Sequence, residues 1–381
     1  MREQQHYQGD DGWEKVTGYL DTISAENILL VTGQSSYASS GAEQMLSPCL
    51  KGKSVTRISN FEVNPKIEDL SRLFDEIGDK STFDVIIAIG GGSVIDIAKL
   101  LKAFWLDPTS IHIHLEGGGQ LPSCELPLIA MPTTAGSGSD ATSFAVLYKD
   151  KEKYSVEADG LLPDFSLVIP SLLKSVPKHT AACSGMDALC QGIESYWSIH
   201  STDESRQLAR EAIELAWYWI EEAVSDGSEE ALHNMARASH SAGRAINITK
   251  TTAPHAFSYP MTSYFGITHG HAVGLLTSVF FDYNTHVNNT DCQDTRGCNF
   301  VMRRLEEIAG MIHLNALSAV TESILEKMKL LGLETQLSDM GLSGIKDIDL
   351  IVKMGFCKNR VINNPRTVSV DIISYLLTNQ G

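Results

Sequence analysis

No apolar run in this chain reaches the roughly 18 residues needed to span a bilayer. The opening Met-Arg-Glu-Gln-Gln-His is polar and lacks the apolar core of a secretory leader. Basic residues are scarce: 30 Lys+Arg face 47 Asp+Glu, for a formal net charge of −17. A field of that sign repels phosphate backbones and disfavours nucleic acid as a partner. It does not forbid a small anionic ligand, because a local basic pocket can operate inside an acidic protein. The 7 cysteines are odd in number and none forms a Cys-x-x-Cys pair. Scattered free thiols fit a reducing compartment better than a disulfide framework. There is no internal repeat and no low-complexity tract. These absences predict a soluble, cytoplasmic protein without membrane or nucleic-acid partners.

The 43% hydrophobic content is ordinary for a globular protein, and 381 residues exceed what one core usually holds, so two domains are expected. Short β-rich apolar runs over 27–33, 83–89 and 127–131 predict strands buried on both faces, hence a parallel sheet covered by helices. The stretch 94–102 is a helix directly after glycines. His112 and His114 alternate in a strand-like stretch and read as structural. From about Pro177 long helical stretches dominate, over 205–224, 228–246 and 300–331. Leu162-Pro163, Pro170 and Pro177 punctuate the changeover and place the domain boundary there.

Two constellations carry chemistry. Gly90-Gly91-Gly92-Ser93 follows a strand and opens a helix, where unpaired N–H groups and the helix dipole favour a pyrophosphate. It is not a Gly-x-Gly-x-x-Gly fingerprint, so it does not read as a standard Rossmann turn. A second loop, Pro132 to Asp140, also follows a strand. Two hydroxyl- and glycine-rich turns after neighbouring parallel strands would line the sheet edge at which α/β proteins bind ligands. In the other half, Asp187 and Gln191 are four apart and share a helix face. They could meet the imidazoles of His255 and His269 in a cage for a divalent cation. The alternative is two core histidines satisfied by hydrogen bonds. A metal site and a phosphate site together suggest hydride transfer.

The segment from Ala88 to Lys99, the Pro132–Asp140 loop, Asp187-Ala-Leu with Glu194, and the His255/His269 pair resemble, in this order over nearly the whole chain, the iron-dependent (group III) alcohol dehydrogenase family. The resemblance implies an α/β fold: an N-terminal parallel-sheet dinucleotide-binding domain, 1–177, followed by an all-α metal and substrate domain, 178–381. The family's active site lies in the cleft between them. It implies an NAD(P)-dependent alcohol dehydrogenase or aldehyde reductase, with a homodimer expected. Carried over, the metal ligands fall on Asp187, His255 and His269. The fourth, normally a histidine, is Gln191, whose amide oxygen is a weaker donor. That leaves either a weakly held Fe2+ or Zn2+ or a site that has dispensed with metal. Tyr259 stands where many relatives have another histidine and is expected among the catalytic residues. Glu194, two helical turns after Asp187, either orients a ligand or forms a structural salt bridge.

The same resemblance sets the pyrophosphate on Gly91, Gly92 and Ser93. Thr133 and Thr134 would steady the ribose and nicotinamide, with Ser139 in the same loop. Many NAD-preferring relatives place an aspartate where Gly33 stands. Its absence leaves room for NADP, so NADPH or NADH is expected, although no arginine or lysine sits beside the loop in sequence. A narrower resemblance, over 244–260, 191–198 and Asn363-Asn364-Pro365-Arg366, is to the branch that reduces phosphonoacetaldehyde to 2-hydroxyethylphosphonate in phosphonate metabolism. A small anionic aldehyde needs fixed cations and N–H or O–H donors. Lys250, Thr251 and Thr252 lie just before His255, and Arg360 is a further candidate. Lys250 is also expected at the catalytic centre. His271, after the His269-Gly270 turn, could protonate the product alkoxide. The rivals are a reductase of uncharged aldehydes, a metal-poor cyclase or lyase related to dehydroquinate synthase, and a non-catalytic nucleotide binder.

Overall fold

A computed structural model describes residues 3–78, 83–117, 121, 123–342, 344–356 and 358–379. The chain divides into two units, Met1–Val176 and Pro177–Gly381. The first contains β1 (Gln5–Gln8), β2 (Asn27–Thr32), β3 (Ser54–Ile58), β4 (Val85–Gly90), β5 (Leu128–Pro132), β6 (Phe144–Lys149), β7 (Glu152–Glu157) and β8 (Phe165–Val168). Six strands form one parallel sheet in the order β1-β8-β5-β4-β2-β3. Leu29, Val31, Ile86, Ala88, Leu128 and Ala130 face one core with Ile95 and Leu101. Ile28, Leu30, Val85, Ile87, Ile129 and Met131 face the other with Val16 and Leu20. The central strands thus bury both faces, which is why they read as unbroken apolar runs.

Register sets the geometry of the sheet edge. Thr32 pairs with Ile89, and Gly90 with Pro132, so the segments after β2, β4 and β5 leave from the same edge. β6 and β7 form a separate antiparallel hairpin. Apolar runs do not reveal it, because β7 is the largely polar Glu-Lys-Tyr-Ser-Val-Glu. Ser110–Leu115 is a short helix, not the strand that the alternation of His112 and His114 predicts. Asp107 accepts from the Thr109 N–H at 3.0 Å and from its hydroxyl, and its carbonyl accepts from Ser110, which starts the turn.

The second unit contains the helices Lys178–Trp197, Asp203–Ser225, Glu229–Thr249, Ala253–Phe265, His269–Thr285, Cys298–Met311, Val320–Leu330, Ile345–Gly355 and Val370–Thr378, and no strand among its described residues. The α/β and all-α expectations both hold. The predicted helical stretch over 300–331 is broken in two. His313 takes φ +62°, and the Leu314 N–H bonds back to Ala309 at 2.9 Å, a left-handed stop that apolar periodicity cannot reveal. Lys178–Trp197 is the inner helix, and every residue from Met186 to Trp197 is buried. Asp187, Gln191 and Glu194 lie inside that run. Buried polar groups need partners, so they mark where the unit does something other than pack. No helix among the described residues is long and apolar enough to cross a membrane.

Candidate functional site

Three helices of the second unit supply one cluster. Asp187 comes from Lys178–Trp197, His255 from the first turn of Ala253–Phe265, and His269 from the start of His269–Thr285. One ligand-type atom of each lies within 4.8 Å of the others. His255 Nε2 is 3.3 Å and His269 Nε2 is 4.0 Å from Asp187 Oδ1. Both Asp187 Oδ1 and His255 Nε2 are sealed from solvent, and neither makes a hydrogen bond. Two buried polar atoms left this way, beside a third donor, fit a divalent cation bound by oxygen and imidazole nitrogen.

The imidazoles are aimed by their other nitrogens. Glu194 is fully buried and accepts from Nδ1 of His255. Its second oxygen accepts from the backbone N–H and the hydroxyl of Thr252, both at 2.7 Å. Thr252 in turn accepts from Trp197 Nε1 at 3.0 Å. His269 Nδ1 lies 3.3 Å from the Ser258 hydroxyl, which donates to the His255 carbonyl at 2.7 Å. Both rings therefore direct Nε2 toward Asp187, the arrangement by which outer partners fix a ligand's tautomer. Ser258 and Trp197 carry no sequence signal for these roles. Tyr259 stacks on the His269 ring, with centroids 5.8 Å apart.

Burial raises the Asp187 carboxyl, but the neighbouring imidazoles outweigh it and hold the carboxyl below its usual range. Burial lowers His255, yet the Glu194 and Asp187 carboxylates lift it to about 10. Gln191 stands one turn after Asp187, is buried, and adds to the groups that hold the Asp187 carboxyl low. As the weak donor of the set, it offers a direct test. Gln191→His is expected to tighten Zn2+ or Fe2+ binding about tenfold or more, read by competition with a chromogenic chelator. Unchanged affinity would mean that position 191 does not face the ion.

The other expected residues of this unit divide. Lys250 ends the helix Glu229–Thr249 with φ +59° and ψ 175°, a region almost reserved for glycine. Thr251 is buried, and its carbonyl accepts from Asn363 Nδ2 at 2.9 Å. The Thr252 hydroxyl is committed to Glu194 and Trp197, as described. Arg360 is half-buried on Lys358–Val361, which packs against the His255 helix. The ring of His271 is not part of the cluster, and its Nε2 bonds to the Glu334 carbonyl at 2.7 Å.

In the first unit, the helix Gly92–Ala103 begins with no side-chain cap and no acid in its first turn. Its opening N–H groups are therefore offered to an anion. Cβ atoms built on Gly91 and Gly92 would meet Thr134 Oγ1 at 3.4 Å and Ser137 Oγ at 2.6 Å. The two glycine-rich turns thus lie against each other, and a side chain at 92 would fill the cradle between them. Ser93 Oγ accepts from the Asn64 N–H at 3.1 Å, and the Thr133 N–H bonds to the Gly90 carbonyl at 2.9 Å. Ser139 is buried and donates to Asp96. Lys99, one turn on, donates to the Thr142 carbonyl at 2.6 Å and to the Phe144 carbonyl at 3.0 Å. Asp96 and Lys99, charges within an apolar helix, pin the second turn from inside. Gly33 follows β2, and the Ser36 hydroxyl occupies the space where a side chain at 33 would begin. A cation does stand near this turn, contrary to the sequence expectation. Arg57 of β3 donates through Nε to Thr32 Oγ1 at 2.9 Å. It arrives through strand pairing and not through chain proximity.

Comparison with known proteins adds the following. Residues 4–170 match the family model described as iron-containing alcohol dehydrogenase, and residues 181–380 match that described as Fe-containing alcohol dehydrogenase family, C-terminal. A phosphonoacetaldehyde reductase of Streptomyces viridochromogenes is 37% identical over 59% of this chain and 60% of its own, less than two thirds of that relative. A long-chain-alcohol dehydrogenase of Geobacillus thermodenitrificans is 32% identical over 71% of this chain and 70% of its own. Among solved structures, the sulfoacetaldehyde reductase of Bifidobacterium kashiwanohense, in complex with NAD+, is similar with a TM-score of 0.89. Its identity is 29%, covering 100% of this chain and 97% of that one.

Proposed function

The chain belongs to the iron-containing alcohol dehydrogenase family, and from that premise we propose that it reduces a small anionic aldehyde, phosphonoacetaldehyde in the first instance, to the primary alcohol with NAD(P)H. The observation that carries the substrate class is Lys250. It is held in a backbone conformation that costs a non-glycine residue about 1–3 kcal/mol, five residues before the ligand His255. Strain of that kind persists where the surroundings hold a side chain in a required place. Two of the similar proteins are named for acetaldehydes carrying a phosphonate or a sulfonate, which supports the same class.

Asp187, His255 and His269, with Gln191 beside them, would hold Fe2+ or Zn2+, and such an ion supplies Lewis-acid polarisation of a carbonyl oxygen. Bound nicotinamide supplies the hydride. Within the protein, Glu194 and Ser258 keep both imidazoles in the ligand orientation. Tyr259 shields one face of His269 from water. Lys250, Thr251 and Arg360 offer charge and donors to the acidic group, while Thr252 serves through Glu194. The uncapped start of Gly92–Ala103, with Gly91, Gly92 and Ser93, takes the pyrophosphate, and Thr133 and Thr134 line the adjoining turn. We assign the alkoxide's proton to water, because His271 Nε2 is already engaged by the Glu334 carbonyl.

The test compares kcat/KM for phosphonoacetaldehyde, sulfoacetaldehyde and propanal. Lys250→Met is expected to lower the values for the charged aldehydes by roughly 10- to 100-fold, the worth of one charge-assisted contact, with propanal little changed. Lys250→Gly should lose the same preference while melting no lower than the parent, since it relieves the backbone. Equal losses for charged and neutral aldehydes would make Lys250 structural. A parent preference for propanal would remove the anionic substrate. A preference for sulfoacetaldehyde would favour the sulfonate reading, which the whole-chain likeness to a sulfoacetaldehyde reductase supports.

A further inference from the structure

We infer that Arg57 recognises the 2′-phosphate of NADP(H), an inference that rests on the nucleotide site proposed above. Arg57 is the penultimate residue of β3 and pairs with Leu30 of β2, so its side chain emerges beside the carboxyl end of β2. β2 neighbours β4, whose following turn carries the proposed pyrophosphate cradle, so the turn after β2 opens at the same sheet edge about one strand spacing away, within reach of a ribose joined to that pyrophosphate. Three features make Arg57 a prepared anion receptor. Its Nε is tethered to the fully buried Thr32 hydroxyl at 2.9 Å. Its guanidinium lies over the ring of Tyr37, 4.7 Å from the centroid, and that ring is itself buried. No carboxylate among the described residues pairs with it, although acids outnumber bases across the chain.

Each feature has a consequence for recognition. Stacking on an aromatic and a fixed Nε leave little side-chain freedom to lose on binding. The terminal nitrogens remain as a fork matched to phosphate oxygens. With no carboxylate partner among the described residues, Arg57 has none to give up first. The neighbouring turn is complementary: Gly33 presents no carboxylate to repel a second phosphate, and Ser35 and Ser36 follow it. Thr32 and Tyr37 lie five residues apart in the chain, and the pairing of β3 with β2 brings Arg57 to them.

The experiment measures binding to the intact, metal-loaded protein. NADPH and NADH are titrated by nicotinamide fluorescence, and 2′,5′-ADP and 5′-AMP by calorimetry. The parent is expected to bind NADPH more tightly than NADH and 2′,5′-ADP more tightly than AMP. Arg57→Met should weaken NADPH and 2′,5′-ADP by roughly 10- to 100-fold and leave NADH and AMP within about twofold, since they lack the group the fork contacts. Arg57→Lys, which keeps the charge but not the fork or the stack, should fall between and covers the case in which the methionine variant does not fold. Equal affinity of the parent for NADPH and NADH would overturn the inference while leaving the nucleotide site standing. Equal weakening of both by Arg57→Met would also overturn it, making Arg57 a structural clamp on Tyr37. Binding of neither nucleotide would take down the nucleotide site and this inference together.

Discussion

Gly270→Ala is expected to empty the metal site. A Cβ on residue 270 would overlap the carbonyl oxygen of Cys183 and lie 2.7 Å from its carbon. The obstacle is backbone, so no rotamer change relieves it. The helix His269–Thr285 would have to retreat from Lys178–Trp197, and the two helices carry His269 and Asp187. Overpacking of this kind costs about 1–3 kcal/mol or more, which lowers Tm by several degrees in a unit of this size. The larger effect is on the ligands, because a displacement of about 1 Å spoils a site built to sub-ångström tolerance. Metal content after desalting should fall below about one tenth of the parent's, and turnover with it. Gly310→Ala is the control, since a Cβ there meets nothing within 4 Å. A Gly270→Ala protein that keeps its metal and its melting point would show that the helices can part without loss.

The second large effect is expected from Glu194→Ala. The substitution leaves His255 Nδ1 and the Thr252 N–H buried without their acceptor. Breaking a buried pair from one side costs about 3–5 kcal/mol, and losing a ligand's outer partner costs about 10- to 100-fold in metal affinity. Burial pushes His255 down, while Glu194 and Asp187 raise it from its ordinary 6.5 to about 10. In the metal-free protein that gain is fully present below about pH 6.5 and is lost as pH rises toward 10. The Glu194→Ala protein should show a shallower loss of Tm over the same window. Parallel Tm profiles for the two proteins would mean that the pair adds nothing.

β2, β4 and β5 were legible because burial on both faces turns each into a continuous apolar run, whereas β1, β3 and β7 are largely exposed or half-exposed and carry no such signal. Asn27 starts β2 where the run starts, and the turns at Gly90 and Pro132 fall at the ends of neighbouring strands. Asp187, His255 and His269 were legible as residue types with helical spacing and a family order. The remainder depends on where distant segments meet. Arg57 stands 25 residues from Thr32 in the chain, and only the pairing of β3 with β2 brings it there. Ser258 and Thr252 are ordinary hydroxyls until the direction of each imidazole is known. Gly270 looks like a turn glycine, and its importance comes from the carbonyl of Cys183 opposite. His313 stops a helix with a backbone conformation that its side chain does not announce.

The position of β1 has a consequence for how the protein is made. β1 pairs only with β8, Gln5 opposite Phe165, and β8 also covers the open side of β5. About 160 residues must therefore leave the ribosome before the sheet can close on that side. At 5–20 residues per second this takes roughly 8–32 s. β5, complete at Pro132, presents an unpaired, apolar edge for the last part of that interval, roughly 2–7 s at the same rate until β8 follows, and such an edge is the surface most prone to pair with another nascent chain. Yield of folded protein should therefore respond to translation speed and to chaperones that shield exposed strands, even though the finished unit buries that edge completely.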